Sequence, residues 1–177
     1  MTEPQAGLLA HVVALRGGRS ITVRSVRPDD RDEFEAAFDR LSPAARYSRF
    51  FMPLRELPDK MLDDATNPSP DRMVALVALD GEGDAARIVG GARFGFAPGA
   101  EACEFAVTVA GDWQGVGLAR RLMEELIELA RARGLRRMEG FVLPDNTGMR
   151  GLAARLGFTD VICPDDRTLR LVSLKLD

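Results

Sequence analysis

Apolar positions follow two rhythms along this chain, and the switch between them is its clearest feature. Cys103, Phe105, Val107 and Val109 recur at every second position, the period of a strand with one buried face. Asp112 to Gly117 breaks that pattern with a glycine-containing turn. Beyond it Leu118, Leu122, Leu126 and Leu129 recur at helical spacing, with Met123, Ile127 and Ala130 beside them.

The same reading gives the other elements. His11 to Arg16 and Arg19 to Val26 are β-like runs joined by Gly17-Gly18, a hairpin turn signal. Arg27-Pro28-Asp29-Asp30 ends the second run and opens a helix to about Arg40, with Asp29 or Asp30 placed to cap it. A Ser-Pro helix start introduces an aromatic- and arginine-rich segment, Leu41 to Phe51, and Pro58 to Ala65 predicts a further short helix. Met73–Leu79, Ile88–Phe96 and Cys103–Val109 are three strands of an antiparallel meander, separated by polar or Pro-Gly turns. After the helix that ends near Gly134, Arg137 to Leu143 is a short strand. Asn146 then caps a helix through Leu156, stopped by Gly157, and Phe158–Cys163 and Leu169–Leu176 close the sheet. The order is hairpin, two helices, meander, helix, strand, helix, two strands. It predicts an α+β fold, a mixed, mostly antiparallel twisted sheet flanked by helices on both faces.

Composition narrows the function classes. At 177 residues, with 46% hydrophobic and 29% charged residues, the chain is expected to form one domain around a single core. No apolar run approaches a membrane span and no signal-peptide pattern opens the chain, so a cytoplasmic protein without a membrane partner is expected. A net charge of −3 argues against a nucleic-acid partner. Two distant cysteines, Cys103 and Cys163, suggest neither a disulfide framework nor a metal site, and no metal is expected. His11, the single histidine, is read as a surface or packing residue.

The strand–glycine–helix passage has a chemical reading of its own. Helix N-termini carry unpaired N–H groups and partial positive charge, and glycines let the backbone approach a phosphate closely. Neither G-x-x-x-x-G-K-[ST] nor a complete G-x-G-x-x-G occurs, so a nucleotide-binding domain is improbable. What stands is Gln114-Gly115-Val116-Gly117-Leu118-Ala119, of the form Q-x-x-G-x-[GA], after Val107-Thr108-Val109 and Trp113. This resembles the loop with which the GNAT acyltransferases hold the pyrophosphate of acetyl-CoA. The element order is also similar to that family, from about Ser20 to the end. Residues 1–19 are accordingly taken as an N-terminal segment with the first hairpin strand, and 20–177 as one GNAT-like domain.

Further pieces strengthen the likeness. Arg27-Pro28-x-Asp30 resembles the family's first-strand signature, and Asn146 to Phe158 its late helix ending in Leu-Gly-Phe. Leu41-Ser42-Pro43-x-x-Arg46-Tyr47-x-Arg49-Phe50-Phe51 and Cys103-Glu104-Phe105-Ala106-Val107 resemble the acetyltransferase domain of Pat-type bacterial protein lysine acetyltransferases. The synthetase-like or cyclic-nucleotide regions such enzymes often carry do not fit in this chain. The resemblance implies acetyl-CoA as cosubstrate, an amine acceptor such as a protein lysine, and a homodimer as a common assembly. It implies that Val107, Thr108 and Val109 pair with pantetheine amides and that Gln114, Gly115, Val116, Gly117, Leu118 and Ala119 hold the pyrophosphate. Arg120 would add charge, Asn146 would open the helix beside the pantetheine arm, and Tyr47 would line the acceptor side.

A lysine amine, with a pKa of about 10.4, attacks a thioester only after losing a proton, so the site needs a base. Glu104 is the best candidate, on the strand entering the loop, sharing a face with Ala102, Ala106 and Thr108 by alternation. Pat-type enzymes place a glutamate base at this position. A strand N–H among residues 107–109 would stabilise the tetrahedral oxyanion. One departure stands out: the tyrosine that many family members use as general acid, five residues before the Leu-Gly-Phe phenylalanine, is Ala153 here. The competing readings are acetylation of a free amino acid or small amine, and a non-catalytic acyl-CoA-binding module.

Overall fold

Alternation and glycine punctuation build an eight-stranded sheet in a computed structural model that describes residues 10–177. The patternless start of the chain lies outside the described residues. In chain order the elements are β1 (His11–Ala14), β2 (Ser20–Ser25), α1 (Arg31–Asp39), α2 (Pro43–Phe50), α3 (Asp59–Thr66) and β3 (Met73–Asp80). Then follow β4 (Arg87–Gly95), β5 (Ala102–Val109), α4 (Leu118–Ala132), β6 (Arg137–Val142), α5 (Thr147–Arg155), β7 (Thr159–Ile162) and β8 (Arg170–Lys175). The sheet order is β1-β2-β3-β4-β5-β6-β8-β7, antiparallel except where β5 meets β6.

The two faces of the sheet are filled by different helices, as the strand alternation requires. On β3, Leu76 and Ala78 join the main core with Leu118, Leu122, Met123 and Leu126 of α4. Val77 and Leu79 turn the other way, where Phe34 and Ala37 of α1 pack against them. Phe38, Leu57 and Leu62 seal the junction of α1 and α3. On β5, Cys103 and Phe105 are buried while Glu104 is exposed, so the predicted alternation holds. The β4–β5 register runs unbroken from Gly90–Val109 to Gly95–Glu104.

Two local expectations change. Three helices, not two, precede the meander, because the segment after Ser42 is itself α2. Ser42 Oγ accepts from the Ala45 N–H at 3.1 Å, and Pro43 sits in the first turn. Asp30 is not a side-chain cap of α1. Its carboxylate turns back to the Arg27 N–H at 2.7 Å and takes the Arg24 guanidinium at 2.7 and 2.8 Å. That closes the 3-10 turn Pro28–Asp30 and ties β2 to the helix. Burial alone would raise the Asp30 pKa, but the hydrogen bonds from Arg24 and Arg27 outweigh it and hold it below the ordinary carboxylate value.

Candidate active site

β5 and β6 pair as parallel strands only from Ala102–Arg137 to Glu104–Glu139. Beyond Glu104 a cleft of about 220 Å³ opens between them. Glu104 to Val109 form one wall and Phe141, Val142, Asn146 and Met149 the other. Half of a strand's main-chain groups face each neighbour, so parting the strands leaves polar groups of residues 105–109 available along the cleft. The aromatic core beneath holds the paired end. The Phe105 ring lies over Gly140 of β6, where a Cβ would come within 2.4 Å of it, and meets Phe158 edge-on at 5.5 Å.

One end of the cleft reaches the glycine turn through Gln114, whose Nε2 lies 3.5 Å from the Val109 carbonyl. Gly115 and Gly117 both take positive φ, 77° and 92°, and no heavy atom beyond their chain neighbours lies within 4 Å of a Cβ built on either. The first hydrogen bond into α4 runs from the Arg121 N–H to the Gly117 carbonyl at 3.1 Å. The N–H groups of Leu118, Ala119 and Arg120 therefore have no acceptor within the helix. The turn is braced from the β1–β2 hairpin. The Arg16 N–H donates to the Val116 carbonyl at 3.1 Å, and the Arg19 guanidinium stacks 3.6 Å from the Trp113 ring. A fixed arch of open N–H groups at a helix start suits a pyrophosphate, and a strand edge suits amide groups.

The predicted residues divide between wall, turn and surface. Glu104, Val107, Thr108, Val109, Gln114 and Asn146 line the cleft. Asn146 also caps α5, its Oδ1 accepting from the Met149 N–H at 3.1 Å. Gly115, Val116, Gly117, Leu118 and Ala119 form the turn and helix start. The Leu118 side chain is buried in the core, which leaves its main chain to act. Arg120 is exposed and donates to Glu124 at 2.9 Å. Tyr47 is 45% exposed on α2 and is not among the residues lining the cleft. Ala153 is buried at 1% exposure.

Two cations beside Glu104 escaped the sequence reading. Arg49 of α2 lines the cleft, and Arg93 of β4 stands one register step diagonal to Glu104, opposite Ala106. Burial lowers the pKa of both, Arg49 to about 10 with Arg93 adding repulsion, while the Glu104 carboxylate opposes the fall in each. Both remain charged at neutral pH. Arg46, in the same helix, is structural: it donates to the Asp39 and Arg55 carbonyls and stacks 4.3 Å from the Phe38 ring. Phe51, which closes α2 in a left-handed conformation with φ 58°, also lines the cleft. Burial pushes the Cys103 thiol up to about 11, which makes it unreactive packing.

The sequence model of the acetyltransferase (GNAT) family matches residues 28–158. The chain belongs to the GNAT family. It is an acetyl-CoA-dependent N-acetyltransferase of that type. It is 38% identical over 157 residues to the acetyltransferase PA5475 of Pseudomonas aeruginosa, covering 89% of this chain and 84% of that protein. Among solved structures it is similar to the GNAT domain of S. lividans PAT. The TM-score is 0.84 at 25% identity, over 94% of this chain and 96% of that one. The fold is shared with yncA of Salmonella typhimurium, solved with acetyl-CoA, at a TM-score of 0.70 and 24% identity over 89% and 94% of the two chains. In this GNAT chain no described helix is long and apolar enough to cross a membrane.

Proposed function

We propose that the chain acetylates a primary amine by direct attack on acetyl-CoA, with Glu104 as general base. The observation that carries this is the position of Glu104 at the point where β5 and β6 part. There a carboxylate meets a cleft whose far end is the glycine turn. The ammonium group gives one proton to Glu104, directly or through water, and the neutral amine forms the N–C bond at the thioester carbonyl. Negative charge on the carbonyl oxygen falls to a β5 main-chain N–H in the 107–109 stretch. Collapse breaks the C–S bond with its electron pair on sulfur, and the nitrogen releases its second proton. CoA thiolate is a good leaving group, so it departs without a dedicated acid where Ala153 stands in place of the usual tyrosine, and the second proton from nitrogen balances its charge.

The likeness to the S. lividans PAT domain, with the Leu41–Phe51 and Cys103–Val107 segments, supports a protein lysine as the amine. A second reading, a small-molecule amine, is favoured by a chamber that adjoins the cleft under α1, α2 and α3. The test is CoA release from acetyl-CoA with lysine peptides and free amines side by side, using the wild type and Glu104→Gln. Turnover with at least one amine class that drops sharply in the variant is expected. Acetyl-CoA binding without transfer to any amine would make the chain a binding module instead.

A further inference from the structure

The chamber is about 320 Å³ and lies on the sheet face that carries Glu104. Its walls are mostly apolar, from Phe34, Phe38, Leu57 and Met61. It joins the cleft at Arg49, Ala106 and Thr108, which line both spaces. Into this apolar room the fold sets two guanidinium groups, Arg49 and Arg93. Among the described residues neither makes an ion pair. Arg49 stacks 4.8 Å from the Phe50 ring, Arg93 donates to the Met73 sulfur at 3.9 Å, and the Glu104 carboxylate acts on both only through space. Half-buried Arg24 and Arg170, by contrast, grip Asp30 and Asp160 at 2.7 Å. The one carboxylate on the chamber wall, Asp64, is bonded to Lys60 at 2.9 Å and favours the Arg93 charge only through space. Two like charges partly removed from water are costly unless an anion completes them, and guanidinium forks match carboxylates.

We propose that this chamber is the acceptor pocket and takes an α-amino acid with an apolar side chain. Its carboxylate lies on Arg49 and Arg93, and its amine is presented to Glu104. The proposal rests on the Glu104-centred amine acetylation above and takes its second reading, a small-molecule amine in place of a protein lysine, to one acceptor class. An α-amino acid carries its amine next to its carboxylate, as the neighbouring positions of Glu104 and the arginines require. Its side chain then fills the apolar walls. A lysine ammonium arriving alone would meet two repelling cations and leave the room beneath unfilled.

The test compares leucine, methionine and phenylalanine with their carboxamides as acceptors, in wild type and Arg93→Gln, by CoA release. Arg93 lines the chamber but not the cleft, so its loss spares acetyl-CoA. The free acids are expected to exceed the amides by about tenfold or more in kcat/KM, because an amide leaves the guanidiniums uncompensated. Arg93→Gln should erase that gap while the KM for acetyl-CoA stays within about twofold. Equal use of acids and amides, or acetylation confined to lysine peptides, would overturn the amino-acid pocket and leave the N-acetyltransferase standing. Calorimetric titration of phenylalanine into the protein with CoA reads the pocket apart from the chemistry. Binding lost in Arg93→Gln supports it, and no binding to the wild type overturns it.

Discussion

At the residue scale, function turns on where charge is left unmatched and where it is not. Asp30 is matched: its side chain is 9% exposed and closes on Arg24 at 2.7 Å. Asp30→Asn should leave the guanidinium buried without its counter-ion and cost roughly 2–4 kcal/mol, read as a shifted urea midpoint. The pH sign follows from the lowered Asp30 pKa. Its stabilisation is complete above the ordinary carboxylate value of 3.8 and is lost as pH falls through the lower native value. Wild type and Asp30→Asn should therefore converge in stability in strong acid. A constant gap between them would contradict the pairing. Arg49 and Arg93 are the opposite case, and composition could not reveal them. In the sequence each is one arginine among many, and only the packing of α2 against β5, with β4 beside it, brings them together near Glu104.

At the element scale, the junction of β5 and β6 is the critical piece. Gly140→Ala would drive a methyl into the Phe105 ring at 2.4 Å. It should cost about 1–3 kcal/mol in thermal or urea unfolding. Pairing it with Phe105→Leu should recover part of that loss, which a purely backbone effect of the glycine would not allow. The glycine turn makes a second prediction. Gly117→Glu places a carboxylate at the α4 N-terminus and forces a left-handed residue at φ 92°, at a cost of about 1–2 kcal/mol. The protein should stay folded by circular dichroism yet lose CoA binding, and retained affinity would remove the turn from the cofactor site. This stretch was the most legible part of the sequence. Strand period, glycine spacing and helix period meet there within a few residues, and each is set by local physics. The third helix at Pro43–Phe50 was less visible, because Arg46, Tyr47, Arg49 and Phe50 give no simple apolar stripe. Their partners lie on α1, on β5 and in the loop after α2. Tyr47, expected from the resemblance to line the acceptor side, is 45% exposed, while its neighbours Ser48 and Arg49 line the cleft.

For the whole molecule, the sheet order follows from connections that the sequence punctuates clearly, and the family assignment agrees with it. The cleft itself was not readable from periodicity, since β5 and β6 look like ordinary strands and nothing local says where their pairing stops. A ligand that bridges both strands and the α4 turn should stabilise the fold as a unit. At a hundredfold excess over Kd, CoA should add about 2.7 kcal/mol and raise the Tm by several degrees. No shift is expected in Gly117→Glu. A matching shift in that variant would place CoA elsewhere.

The most direct test of the account is single-turnover transfer from saturating acetyl-CoA to the preferred amine, comparing wild type with Glu104→Gln, alongside acetyl-CoA affinity by titration. Glu104 as base predicts a rate lower by about 10²–10⁴ with affinity nearly unchanged. An unchanged transfer rate in the variant would contradict it, and proton removal would then have to be assigned to another group along the cleft.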